Sequence, residues 1–295
     1  MVVVPPPPEP PPKAPAFALG FADEAAILAD PAEHLSLFRF AADPRIVVLD
    51  FPALTPQGRM FNRVAALTEK AGLPRDRVLS DDELDAAIRA SGDTVATFYY
   101  GHDYPAAALV RFFALADRDH VTLDAEEERL RGLVRQLGWF DQNAGGALIS
   151  LSREGADPDI TASARAAILH HELSHGAFFV DPAYADYTRK FWHTALTATE
   201  REAVTRFLAG EDYDSADDTL MVNEMQAYVM FTDDPHFFLP SNFGMSAARR
   251  AALRATFRRD LPVDWLRVAM QEPSAVSLPA LPTSSRPSRP AAAPR

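Results

Sequence analysis

The stretch His171-Glu172-Leu173-Ser174-His175 places two imidazoles four residues apart with a carboxylate between them. On an α-helix, residues four apart share one face, about 6 Å apart along the axis. Two imidazoles so placed can reach one tetrahedral metal ion, and the intervening Glu can reach a water on that ion. The chemistry this allows is activation of water, with Glu172 as the base that takes its proton. The chain has no cysteine. Thiolate ligation, disulfides and cysteine nucleophiles are therefore excluded, and any metal is left to His and carboxylate.

The flanking residues predict the helix that this geometry requires. Thr161 suits an N-cap, Ala164, Ala166 and Ala167 favour helix, and Asp181-Pro182 supplies the stop. Ala164, Ile168, His171, His175 and Phe178 follow the three-and-four spacing of a buried stripe. Both histidines thus take core-facing positions, where each ring nitrogen needs a partner.

A catalytic zinc site takes three protein ligands and an open position. The metzincin continuation of such a motif would place Gly at 178 and His or Asp at 181. Asp181 falls at the second, but Phe178 stands at the first, and without glycine the helix has no easy turn back to the metal. Asp181 reads more simply as a helix end ahead of Pro182. Leu220-Met221-Val222-Asn223-Glu224-Met225-Gln226-Ala227-Tyr228-Val229-Met230 offers a better source. Leu220, Met221, Glu224, Ala227, Tyr228 and Phe231 share a helical face, so Glu224 is the acidic member of a buried stripe. A carboxylate there is costly unless it is metal-bound or paired with a buried arginine.

With these residues the chain resembles the gluzincin class of zinc metallopeptidases, which carry His-Glu-x-x-His on one helix and a Glu from a second helix some fifty residues later. The resemblance covers about residues 160–232 and includes the Asn223-Glu224 pair. It implies a zincin-like catalytic half, one zinc ion per chain, His171, His175 and Glu224 as ligands, and Glu172 as general base in peptide hydrolysis. Many members place an Asp four residues after the ligand Glu, to orient the first His. Here Tyr228 stands at that position, so the support for His171 must be built differently.

The oxyanion of a tetrahedral intermediate needs a donor beside the metal. Tyr228 shares the face of Glu224 and is the catalytic candidate, with core packing as its other reading. His236, just past that helix, is a second candidate. His193 is a weaker one, since Phe191-Trp192-His193 has the look of packing. Gly101-His102-Asp103-Tyr104-Pro105 gathers polar and aromatic groups that could line a substrate cleft, brace a ligand or form a well-bonded turn.

These residues must be held by a fold of α+β class: a small mixed sheet, an active-site helix and a helix-rich C-terminal half. Strands are expected at 45–51, 94–100 and 145–152, the last as an ordinary sheet strand or as an edge that holds substrate by strand addition. Helices are expected at 56–72, from a capping box at Ser80 to Glu83, at 106–116, 121–137, 161–180, 182–194, 198–210, 216–232 and 246–258. Proline-rich ends, 1–16 and 273–295, read as disordered tails. They leave 17–272 as a single domain, mixed over 17–155 and helical over 156–272. The N-terminus suits a spacer behind a removed signal, hence a periplasmic or secreted protein, or else a tail on a cytoplasmic one.

The net charge of −12 disfavours nucleic acid and anionic membranes as partners, and no apolar run has the length to span a bilayer. A peptide or protein substrate is the expected partner. The competing functions are a zinc amidase or cell-wall peptide hydrolase, and a non-catalytic domain that binds metal or peptide.

Overall fold

The computed structural model describes residues 17–141 and 145–270; both proline-rich ends lie outside the described residues. The chain is of α+β class. Five strands, β1 (Gly20–Ala22), β2 (Ser36–Phe40), β3 (Ile46–Phe51), β4 (His102–Pro105) and β5 (Ala147–Ser152), form one mixed sheet in the order β1-β2-β3-β5-β4. β3 and β5 run parallel, and β4 pairs antiparallel with β5, Tyr104 opposite Leu148. Every residue of β3 and β5 is buried, because helices cover both faces of the sheet.

Strand alternation divides that burial between two cores. Val47, Leu49, Phe51, Leu148 and Tyr104 face α2 (Leu54–Thr68), α4 (Ala106–Arg118) and α5 (Ala125–Gln136). Ile46, Val48, Ile149 and Leu151 face α6 (Ala162–Val180) and Ile27 of α1 (Glu24–Ala29). α3 (Asp81–Ser91) opens with the expected capping box, Ser80 and Glu83 bonding each other's backbone N–H. Beyond α6 the chain is helical: α7 (Pro182–Ala195), α8 (Ala198–Gly210), α9 (Asp218–Gln226), α10 (Ala247–Asp260) and α11 (Asp264–Ala269). These enclose a third core that reaches α6 through Ala177 and Phe178.

α6 crosses the sheet closely. A Cβ at Gly176 would stand 3.0 Å from the Ile46 side chain, so a larger residue there would push the helix away. At its first turn Arg165, buried, donates to Asp50 Oδ1 and Oδ2 at 2.9 and 2.5 Å and to the carbonyls of Ser152 and Ile27. One guanidinium thereby ties α6 to β3, to the end of β5 and to α1 through four bonds from its two terminal nitrogens.

Two expectations need correction. Thr94–Tyr100 is not a strand, despite its β-branched and aromatic residues. Thr97 N and Phe98 N close back on Thr94 O, and side chains of α2 take carbonyls that a neighbouring strand would have used, Asn62 at Val95 and Gln57 at Tyr100. The strand forms instead over His102–Pro105. Of the two readings of 145–152, the ordinary sheet strand holds and the edge does not: β5 lies between β3 and β4, and β4 is the edge on that side. β1, β2, α1 and α11 are too short to show a period and were not foreseen.

Candidate metal centre

His171, Glu172 and His175 lie mid-way along α6. Thr161 caps it, its side chain accepting from Ala164 N at 3.1 Å. Asp181 ends it and at once caps α7, accepting from Tyr184 N at 3.1 Å with Pro182 behind it. That bond accounts for Asp181 as a helix junction. α9 is bolted to α6 by Gln226, which donates to Ser174 Oγ at 3.0 Å and accepts from Tyr184 Oη at 2.6 Å. Ser174 Oγ in turn donates to His171 O at 2.7 Å. Glu224, half a turn before Gln226, is thereby set against both histidines.

Glu224 Oε2 lies 3.8 Å from His171 Nε2 and 3.7 Å from His175 Nε2, and one ligand atom from each of the three residues falls within 4.8 Å of the others. Ligand atoms about 2.0–2.1 Å from a tetrahedral ion stand roughly 3.3–3.4 Å apart. The two Glu224 distances are a few tenths wider than that, and the group as a whole stays within 4.8 Å. Among the described residues these three form the group that could hold a metal ion.

The donors also fit a cation chemically. His175 Nε2 and Glu224 Oε2 are buried with no hydrogen-bond partner, an arrangement that is expensive unless something else satisfies them. Burial pushes His171 well below the usual imidazole value and His175 down to about 4, and it pushes Glu224 well above the usual carboxylate value. Neutral imidazoles are what a metal binds, and a dication would restore the charged carboxylate.

His171 is oriented by a residue that sequence reasoning missed. Its Nδ1 lies 2.8 Å from Thr232 Oγ1, and Thr232 Oγ1 donates to Ala227 O at 3.0 Å. Having given its own proton to Ala227, the hydroxyl can only accept from Nδ1–H, which leaves the Nε2 lone pair facing Glu224. The expected helix 216–232 is not continuous. α9 ends at Gln226 and a π-helical turn covers Ala227–Phe231. The wider turn rotates the following residues relative to the α-helical face, so Thr232 rather than the residue four after Glu224 takes the hydrogen bond of His171 Nδ1. Tyr228 packs edge-on against the His171 ring, centroids 4.8 Å apart, and lines the adjoining cleft.

Tyr213 also escaped notice. It sits in the α8–α9 turn, where Lys70 and Tyr213 form a bridge and Asp214 N and Ala71 N bond Glu69 O and Asp212 O. This brings its side chain to the Glu224 carboxylate and to Tyr228, where its hydroxyl favours their charged forms. A tyrosine in an irregular segment carries no period, and its role depends on a pairing 143 residues away.

Glu172 is 5 % exposed, with Oε2 unpartnered. Burial, then the nearby Glu224 and Glu69 carboxylates, push its pKa well above the usual value. A Cβ at Gly101 would fall 1.9 Å from Glu172 Oε1, so the backbone just before β4 lies directly on the carboxylate. The segment 101–105 is therefore β4 with the residue ahead of it, packed against the centre. Asp103 Oδ2 lies 3.8 Å from His175 Nε2, while His102 and Tyr104 turn to the other face and bond each other at 3.0 Å.

Three further histidines lie apart from the His171–His175–Glu224 group. His236 pairs with Asp159 at 3.4 Å on the cleft wall. His193 is exposed on α7; only Phe191 and Trp192 of that run are packed. His170 pairs with Glu24 of α1 at 2.5 Å.

The centre opens into a cleft of about 920 Å³ whose walls include His171, Glu172, Tyr228, Thr232 and the loops before β4 and after α9. No helix among the described residues is long and apolar enough to cross a membrane. Comparison with protein-family models, with curated proteins and with solved structures gives no match.

Proposed function

We propose that this chain is a zinc-dependent peptide hydrolase of gluzincin type. The observation that carries this reading is the placement of Glu172: beside a three-residue ligand group, on the wall of a large cleft, with one carboxylate oxygen unpartnered. A metal held for structure alone has no use for a base at that position. Two imidazoles, one carboxylate and no thiol suit zinc.

A divalent ion at this site supplies a water of lowered pKa and polarises a carbonyl oxygen. The protein's own groups do the rest. Thr232 keeps the proton of His171 on Nδ1, and Tyr213 steadies the Glu224 carboxylate. Glu172 takes the proton of the attacking water and delivers it to the leaving amine nitrogen. Tyr228, with Tyr213 beside it, is the donor proposed for the developing oxyanion.

The test is metal content and peptide cleavage measured side by side. Wild type should hold one zinc and cleave. Glu172→Gln should hold zinc and lose about 10²–10⁴ in rate, whereas Glu224→Ala should lose both. Cleavage by Glu172→Gln at the wild-type rate would remove the base from the reading.

A further inference from the structure

The walls of the cleft carry a charge pattern that the water chemistry does not need. Besides the base Glu172, Asp93, Glu211 and Asp212 line it, against Lys70 as the sole Lys or Arg among the described lining residues. Glu211 and Asp212 are exposed at its rim. A dication held by His171, His175 and Glu224 would not reverse the sign, because Glu224 itself offsets one of its charges and Asp103 stands beside His175. The same walls are aromatic, with Phe98, Tyr99, Tyr100, Tyr213 and Phe237 among them.

The chain itself shows what such a wall holds. The Lys70 ammonium lies 4.3 Å from the centroid of Phe98 and 4.5 Å from that of Tyr99, with Asp212 Oδ2 3.8 Å away. Ring faces and a carboxylate around one ammonium are the components of a cation-binding surface. Further along the wall stands Glu172, its Oε2 buried and without a hydrogen-bond partner.

We infer that the cleft selects peptides with basic residues, arginine or lysine, beside the bond presented to Glu172, and rejects acidic ones. This rests on the peptidase reading. Carboxylates at the rim attract a cationic chain over several ångströms, and rings along the walls stack on a guanidinium once it has entered. An acidic chain meets like charge in a partly desolvated cleft, the kind of repulsion from which selectivity is built.

The experiment measures binding without turnover. Zinc-loaded Glu172→Gln is titrated into two fluorescein-labelled peptides of equal length, one arginine-rich and one glutamate-rich, and anisotropy is read at about 50 and 300 mM salt. The arginine peptide should bind at least tenfold tighter at low salt, and the gap should narrow at high salt. Adding Asp93→Asn and Glu211→Gln, which preserve shape and remove two charges, should cut the preference severalfold. Equal or tighter binding of the glutamate peptide, no binding of either peptide, or a preference untouched by the two neutralisations would overturn the inference. Wild type that prefers the arginine peptide yet cleaves neither would sink the peptidase reading and leave the binding preference standing.

Discussion

Replacing Thr232 by Val tests whether one hydroxyl sets the chemistry of His171. Val matches Thr in shape and removes the acceptor that lies 2.8 Å from His171 Nδ1. Ala227 O loses little, because it keeps the backbone N–H of Thr232 at 3.0 Å. The loss therefore falls on the imidazole N–H, and leaving a buried donor unsatisfied costs about 1–3 kcal/mol. That corresponds to a roughly 5- to 150-fold loss of metal affinity, in line with the 10- to 100-fold typical of groups that hold a ligand. His171 is also held by the rings of Tyr228 and His175, at 4.8 and 4.7 Å between centroids. That packing restrains the ring without the hydrogen bond, so the expected loss is near tenfold. Competition against a chromophoric chelator would measure zinc affinity for wild type, Thr232→Val and Thr232→Ser. Serine keeps the hydroxyl and should bind close to wild type. Wild-type affinity in the valine variant, or equal losses in both variants, would refute the reasoning.

Gly101→Ala should keep zinc and lose hydrolysis about as completely as Glu172→Gln, because the new Cβ occupies the place of Glu172 Oε1; retained turnover in a zinc-loaded variant would contradict it. Buried His102 is pushed from the usual value of 6.5 down to about 3 by burial. The unfolded chain then takes the proton first, so the contribution to stability is fully present above about pH 6.5 and lost as the pH falls toward 3. It reaches roughly 4–5 kcal/mol. Denaturant unfolding of His102→Gln should show a shallower loss than wild type across that window. Arg165→Met leaves Asp50 buried without its partner and should cost about 3–5 kcal/mol, read as a lower denaturation midpoint with His171, His175 and Glu224 unaltered.

The helices were legible because their signals are local. Thr161, Asp181-Pro182 and the Ser80–Glu83 box mark helix ends through bonds spanning three or four residues. Such bonds form wherever the helix forms. The strand expected at Thr94–Tyr100 failed for the opposite reason. Strand propensity is realised only against a partner, and here Asn62 and Gln57 of α2 had taken the carbonyls. β4 formed over His102–Pro105 because Ala147–Ser152 offered it an edge.

The ligand group divides along the same line. Sequence alone determined His171, Glu172 and His175, since a four-residue spacing on a helix is already a geometry. It also picked out Glu224, because an acidic residue inside an apolar stripe needs a reason to be there. Only the tertiary structure decided what surrounds them. The π-helical turn after Gln226 brought Thr232 to His171, the bridge from Lys70 brought Tyr213 to Glu224, and β4 laid Gly101 on Glu172. Each of these depends on segments 50 to 150 residues apart meeting at one point, and no period within a segment encodes which distant side chain it will meet.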